Sequence, residues 1–269
     1  MSDNRPIGVF DSGLGGLSIV KQIKAVLPNE QIVYFGDTAR VPYGTRSREV
    51  LQRYAEQDCG FLLQHGVKAI VAACGTVSST IDPAYTAGLP VPFMGIIQPT
   101  AAAACRATKT GHIAIIGTNA TIASGSFERA IAAIGDYQLY TRACPMFVSL
   151  VENGHIAPTY EATTAIAKEY LGFIKASKID TLILGCTHFP ILSPVIRSIL
   201  GGDIKLINPG EHTANALKAS LAQSGGLHQG QTAEDIYYVS DRGQQFASIA
   251  SIFLGSDISQ KVIVQKVGE

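Results

Sequence analysis

Thr181-Leu-Ile-Leu-Gly-Cys-Thr-His-Phe-Pro190 decides how this chain is read. An apolar run stops at a glycine; a cysteine, a threonine and a histidine follow, and Pro190 then opens an amphipathic run through Leu200. A buried strand feeding a helix through a short polar turn is the unit from which parallel sheets are built. Ligands of such sheets gather outside the carboxyl ends of the strands. The stretch therefore reads as a strand carrying a thiol to a site. Ala69-Ile-Val-Ala-Ala-Cys-Gly-Thr-Val-Ser78 repeats the device, again with a small residue, a Cys and a Thr close behind.

Outward from these two stretches, the same alternation extends over the chain. Strands are expected at 7–10, 31–35, 69–74 and 91–96, and then at 112–117, 138–141, 181–185, 204–208, 236–240 and 262–265. Helical spacing fills 17–27, 47–65, 99–107, the stretch from Thr121 to Ile134, 159–175, the run after Pro209 through Leu221, and 244–253. The predicted fold is α/β, with two doubly wound parallel-sheet domains related by a pseudo-twofold and a site in the cleft between them. Residues 1–97 and 208–269 would form a discontinuous first domain, and residues 98–207 an inserted second one. Asp11, Cys74, Thr118 and Cys186 each end a strand, so all four should line the cleft.

Composition narrows the classes of function. The 269 residues are 46% hydrophobic and 16% charged, enough apolar content for a sizeable core. Net charge is zero and the densest basic cluster is Arg46-Ser-Arg48, so nucleic acid is not expected as a partner. No window approaches the ~18 apolar residues of a membrane span. Met1-Ser-Asp-Asn-Arg-Pro6 lacks the features of a signal peptide. The five cysteines (59, 74, 105, 144 and 186) are sparse and show no CxxC spacing, which fits a reducing cytoplasm and argues against a disulfide framework or a zinc site. His65, His112, His155, His212 and His228 show no ligand spacing, so no metal is expected.

Cys59 and Cys105 fall within helical stretches and read as small buried hydrophobes, as does Cys144 before Pro145. Cys74 and Cys186 stand instead where strands stop. Two thiols facing one cleft could serve redox chemistry, although redox pairs are usually close in sequence. The alternative is acid–base work, one thiolate removing a proton while the opposing thiol returns one to the other face, as inversion of a stereocentre requires. A thiol with an ordinary pKa of about 8.5 can serve in either state near neutrality, and helix N-termini nearby would favour the thiolate. Asp11 is placed to tune Cys74, and His188 to tune Cys186.

A rival reading comes from Gly13-Leu-Gly-Gly-Leu-Ser18. It nearly fits a dinucleotide fingerprint, and Asp37 ends the next strand where a ribose-binding acid would stand. Against it, Ser18 replaces the third glycine and Asp11 sets a negative charge near the pyrophosphate. The same turn offers free amides at a helix start, suited to a carboxylate or a phosphate.

Three stretches carry a resemblance. Gly8-Val-Phe-Asp-Ser-Gly-Leu-Gly-Gly-Leu17, Tyr34-Phe-Gly-Asp-Thr-Ala-Arg-Val-Pro-Tyr-Gly44 and Gly185-Cys-Thr-His-Phe-Pro190 resemble signature stretches of the glutamate racemases, of the aspartate/glutamate racemase superfamily, and the likeness runs over essentially the whole chain. The resemblance implies an isomerase that interconverts L- and D-glutamate without a cofactor or metal, in the cytoplasm, to supply D-glutamate for the peptidoglycan of the cell wall. It places the two bases on Cys74 and Cys186, assisted by Asp11 on one side and by Glu152 and His188 on the other. Substrate contacts fall on Asp11, Ser12, Pro42, Tyr43, Gly44, Gly75, Thr76, Thr118, Thr121 and Thr187. A homodimer is left open. An aspartate or hydantoin racemase, and a binding relative without turnover, are the alternatives.

One position departs from the family pattern. Cys74-Gly75-Thr76 stands where the family usually has Cys-Asn-Thr, so a substrate hydrogen bond worth about 0.5–1.5 kcal/mol is missing there. Gly75 is expected to keep the backbone amide and to add room. Asn208 stands where an aspartate is usual and is expected to cap a helix.

Overall fold

The structure, a computed structural model of the chain, describes residues 3–175, 177–230 and 233–267. Met1 and Ser2, part of the stretch read as lacking a leader, lie outside the described residues.

Among the described residues ten strands form two sheets: β1 (Ile7–Asp11), β2 (Ile32–Gly36), β3 (Ala69–Ala72), β4 (Phe93–Gly95), β5 (His112–Gly117), β6 (Gln138–Ala143), β7 (Thr181–Leu184), β8 (Lys205–Ile207), β9 (Ile236–Val239) and β10 (Val262–Val264). The first sheet runs β10-β9-β2-β1-β3-β4 and the second β6-β5-β7-β8. Every pairing among the described residues is parallel. The order 2-1-3-4 within the first sheet is repeated by 6-5-7-8, so β3 and β7 are equivalent strands. β9 and β10 return from the far end of the chain to extend the first sheet beyond β2.

The alternation of side chains assigns each face of the first sheet a core. Val9, Ile32, Tyr34, Ala69 and Val71 pack into one apolar cluster, which continues without a break through Ile113, Ile115, Leu182 and Ile183 of the second sheet. Phe10, Val33, Phe35, Ile70 and Ala72 face the other way, against Leu51, Ala55 and Leu62 of the helix Arg48–Gln64. The central strands β1, β2 and β3 are buried on both faces, as parallel strands covered by helices must be.

Local chemistry sets the element ends. Ser47 caps the helix Arg48–Gln64 by accepting from the Val50 amide, and Asn208 caps Pro209–Gln223 through the Gly210 amide, as expected. The run after Pro190 differs from expectation. Phe189–Leu192 form a single 3₁₀ turn, and the helix begins at Ser193 with Pro194 in its first turn, where the missing N–H costs nothing. The helix expected to run to Ile134 is two, Asn119–Ser124 and Ser126–Ala132, split where Gly125 takes a left-handed φ of 61°. Met146–Glu152 is a helix that the sequence pattern did not announce. Among the described residues no helix is long and apolar enough to cross a membrane.

Candidate active site

Parallel pairing puts the ends of neighbouring strands side by side. The Ala73 amide donates to the Phe10 carbonyl at 2.8 Å, which sets the Cys74 turn beside Asp11. In the second sheet the Gly185 amide donates to Ile116 at 2.7 Å, setting Cys186 beside Thr118. These ends face a cavity of about 430 Å3. Asp11, Ser12, Pro42, Tyr43, Gly44, Cys74, Gly75, Thr76, Thr118, Thr121, Glu152, Cys186, Thr187 and His188 all line it. Every residue singled out from the sequence for the site is thus brought to one place. Cys59, Cys105 and Cys144 are buried away from it, and all five cysteines are free thiols.

The two thiols have different surroundings. Cys74, at the head of the short helix Gly75–Thr80, donates to Ser12 Oγ at 3.6 Å. The Asp11 carboxylate is only 1% exposed and accepts from the Gly13 and Gly16 amides at 3.2 and 2.9 Å. Burial raises its pKa, while the Gly16 amide and the charge of His188 oppose that rise. Burial, with the Asp11 charge added, pushes the Cys74 thiol up to about 12. The Val77 amide of the following helix does favour the Cys74 thiolate, as expected of a helix N-terminus, but desolvation beside a carboxylate outweighs it.

Cys186 sits against a cation. Its sulfur lies 3.8 Å from His188 Nδ1, and His188 Nε2 lies 3.0 Å from Glu152 Oε1. Burial works against charge on His188, but the hydrogen bonds with Cys186 and Glu152 prevail and raise its pKa to about 10. Phe147 of the Glu152 helix packs edge-on against Phe189 with ring centroids 5.2 Å apart, and Phe253 packs edge-on against the His188 ring at 5.4 Å. The imidazole is thereby fixed between two sides of the molecule.

Hydroxyls bridge the cavity between these poles. Thr76 Oγ1 lies 3.2 Å from Thr118 Oγ1, which lies 3.0 Å from Thr121 Oγ1. The Tyr43 hydroxyl points away from the cavity. It donates to Asp37 and lies 3.3 Å from a carboxyl oxygen of Asp58. Arg40 bonds the same two carboxylates at 2.5 and 2.8 Å, and Ser240 donates to Asp37 at 2.9 Å. Asp37 is therefore a buried anchor of the Pro42–Gly44 loop, and its position does not suit the ribose contact of the nucleotide reading.

The expected room at Gly75 is not there. A methyl group built on its Cα would lie 2.5 Å from the Gly185 carbonyl oxygen, well inside contact distance. The space is filled by backbone of the other sheet.

Sequence reasoning missed one wall. Pro145, Val148, Ser149 and Glu152 line the cavity while Phe147, Leu150 and Val151 are buried behind them. That is a single helical face at spacings of three and four. Glu152 was assigned by resemblance alone, and this short period is the only signal for it that the sequence holds. Gly13, Leu14, Val41, Thr45 and Asn119 also line the cavity as neighbours of assigned residues. Among the described residues no group of His, Cys, Asp and Glu is arranged to hold a metal ion.

Comparison with known proteins finds relatives over nearly the whole chain. A family model described as Asp/Glu/Hydantoin racemase matches residues 12–217. The chain is 41% identical over 267 residues to a glutamate racemase of Chlorobaculum tepidum, covering 98% of this chain and 97% of that one. It is 40% identical to a glutamate racemase of Bacillus cereus, with 96% of each covered. Among solved structures, the glutamate racemase of Francisella tularensis in complex with D-glutamate superposes with a TM-score of 0.91 at 37% identity, over 98% of both chains.

Proposed function

The chain belongs to the Asp/Glu/hydantoin racemase family, and from that premise we propose that it interconverts L- and D-glutamate with its own thiols and no cofactor. One observation carries the mechanism. Cys74 and Cys186 follow the equivalent strands β3 and β7 and line one cavity with opposite electrostatic partners.

His188, charged at neutral pH, presents a cation to the Cys186 sulfur, the setting in which a sulfur accepts a proton. Cys74, pushed up to about 12, rests as a thiol able to give one. In one direction the Cα–H bond breaks as its proton passes to the Cys186 sulfur. The Cys74 S–H bond then breaks as its proton joins the opposite face of Cα. No electron is gained or lost, and the thiols finish with their roles exchanged, ready for the mirror-image substrate. Asp11 holds Cys74 in its protonated form by charge, and Glu152 holds His188 in its charged form. The threonine hydroxyls 76, 118, 121 and 187, with Ser12, Gly75 and the Pro42–Gly44 loop, are the groups we assign to the substrate's carboxylates and ammonium.

The near-full-length likeness to glutamate racemases supports glutamate over shorter or cyclic substrates, and with it a supply of D-glutamate to peptidoglycan. Five free cysteines, two of them working, fit a reducing cytoplasm. The sheet membership supports the division into residues 1–97 with 208–269, and 98–207, as the two domains.

The test follows the optical activity of L-glutamate by circular dichroism with purified protein and no pyridoxal phosphate. The signal should decay to zero, and should hold steady with Cys74→Ser or with Cys186→Ser. Persistence of the wild-type signal with L-glutamate, or turnover by either serine variant, would refute the reading. Decay with L-aspartate in place of L-glutamate would move the substrate within the family.

A further inference from the structure

Ser18 is the residue that breaks the fingerprint-like run from Gly13, and no step of the mechanism uses it. It stands in the first turn of the helix Leu17–Val26 and is only 7% exposed. Its hydroxyl leaves the first sheet's half of the molecule and donates to the Thr187 carbonyl at 2.8 Å. Thr187 lies between Cys186 and His188, whose contact of 3.8 Å joins the second thiol to its cation. The bonds of the Gly185 amide to Ile116, of the Phe189 amide to Cys186 and of His188 to Glu152 all stay within the second half. The run that leads to Ser18 meanwhile serves the first thiol. Asp11, whose charge keeps Cys74 protonated, accepts from the Gly13 and Gly16 amides, and the Tyr34 hydroxyl donates to the Gly13 carbonyl at 2.7 Å. One short turn thus begins at the tuning partner of Cys74 and ends bonded to the residue after Cys186.

We propose that Ser18 is a positioning residue for Cys186: its hydroxyl pins the Thr187 carbonyl, and so holds the Cys186 sulfur in contact with His188. The proposal rests on the two-thiol reading and adds a residue to one side of it. A buried carbonyl that loses its donor turns toward another. The peptide unit is planar, so a turned Thr187 carbonyl carries the His188 amide and Cα with it. The imidazole is held on its far side by Glu152 and packed edge-on by Phe253, so it cannot follow freely. The Cys186–His188 contact is then what gives. Cys74, bonded to Ser12, lies outside this chain of contacts. The hydroxyl also accounts for the serine where a dinucleotide fingerprint has glycine.

The experiment measures kcat/KM for L- and D-glutamate carrying protium or deuterium at Cα, at one pH on the wild-type plateau. Wild type, Ser18→Ala, Ser18→Thr and Glu152→Gln are compared. Mirror-image substrates are equal in free energy, so any variant slows both directions alike. Rates alone cannot name the thiol, whereas isotope effects can. In Ser18→Ala kcat/KM should fall about tenfold, the scale of a misplacement below one ångström. The isotope effect should rise for the enantiomer that Cys186 deprotonates, because that bond-breaking step is now the slow one. It should fall toward unity for the other enantiomer, whose deprotonation by Cys74 precedes the slow step. Glu152→Gln, which weakens the same thiol through His188, should shift the pair in the same sense. Ser18→Thr keeps the hydroxyl and should keep wild-type values.

A merely structural Ser18 would lower the active fraction and leave both isotope effects as in wild type. That result overturns the proposal, as do isotope effects that move together or a fall in Ser18→Thr as deep as in Ser18→Ala. A shift opposite in sense to that of Glu152→Gln would assign the hydroxyl to Cys74 and overturn it too. If Ser18→Ala yields no folded protein, Ser18→Cys, whose S–H is a weaker donor, decides by the same readouts. Absence of racemisation by wild type overturns both this proposal and the functional reading. Racemisation by wild type with an unaffected Ser18→Ala overturns only this one.

Discussion

At the scale of single residues, the site is an exercise in how partners divide two identical thiols. Cys74 faces a buried carboxylate and Cys186 a buried imidazolium, so one sulfur is kept protonated and the other is offered positive charge. Glu152 contributes through His188, and its own side chain is 40% exposed, so solvent screens part of its effect. The sign of its removal is nevertheless fixed. Glu152 favours the charged imidazole and raises its pKa; Glu152→Gln removes that contribution and lowers the pKa from about 10 toward the ordinary histidine value. Imidazolium is then lost at lower pH. The alkaline limb of the kcat/KM profile should move to more acidic pH in Glu152→Gln, with the plateau below the limb retained in part. A limb that stays in place would show that His188 is not the group it reports.

Single elements show which features the sequence could carry. Asp180 ties the connection between the helix Ile97–Ala107 and β5, accepting from Thr108 Oγ1 and the Lys109 and Thr110 amides at 2.6 to 2.9 Å, and from Thr181 Oγ1 at 2.9 Å. Burial works to raise its pKa, but these donors hold the carboxyl down at about 2. Its contribution to stability is therefore complete above the unfolded carboxylate pKa of about 4 and disappears as pH falls through about 2. Asp180→Ala should cost on the order of 1–3 kcal/mol in denaturant melts at neutral pH, and the deficit should narrow toward pH 2. Features of this local kind were legible. The strand ends at Asp11, Cys74, Thr118 and Cys186 announced themselves because an apolar run stops where the sheet stops. Asn208 was legible as a cap because an Asn before a Pro at a helix start has few other uses. The helix Met146–Glu152 was not legible: at seven residues, behind a proline, it is too short for its period to stand out. Gly75 was misread for a different reason. A glycine in sequence signals that space is wanted, and only the fold reveals that the Gly185 carbonyl already fills it.

At the scale of the whole molecule, the two sheets share more than a cleft. The apolar cluster that holds Val9 of β1 also holds Ile115 of β5 and Ile183 of β7, and the helix Pro209–Gln223 contributes Ala214, Leu217 and Leu221 to the same cluster. A buried pair at the opposite end of the first sheet binds distant segments together: Lys68 Nζ lies 2.6 Å from Glu30 and donates to the carbonyls of Asp3 and Gly226 at 2.7 Å. The two sheets repeat one strand order, yet the core on one face of the first sheet is also the core of the second. In the language of amide exchange, the shared cluster predicts one foldon with two active-site walls. The amides of Val9 and Ile115 should exchange only through a common opening, with a single free energy that denaturant lowers in parallel for both, and calorimetry should record one transition. Separate protection for the two sheets would show that the shared core does not couple them. The shared core thus ties the two strands that carry the thiols to a single event: Val71 of β3 and Leu182 of β7 pack in one cluster, so whatever unfolds one strand should take the other with it.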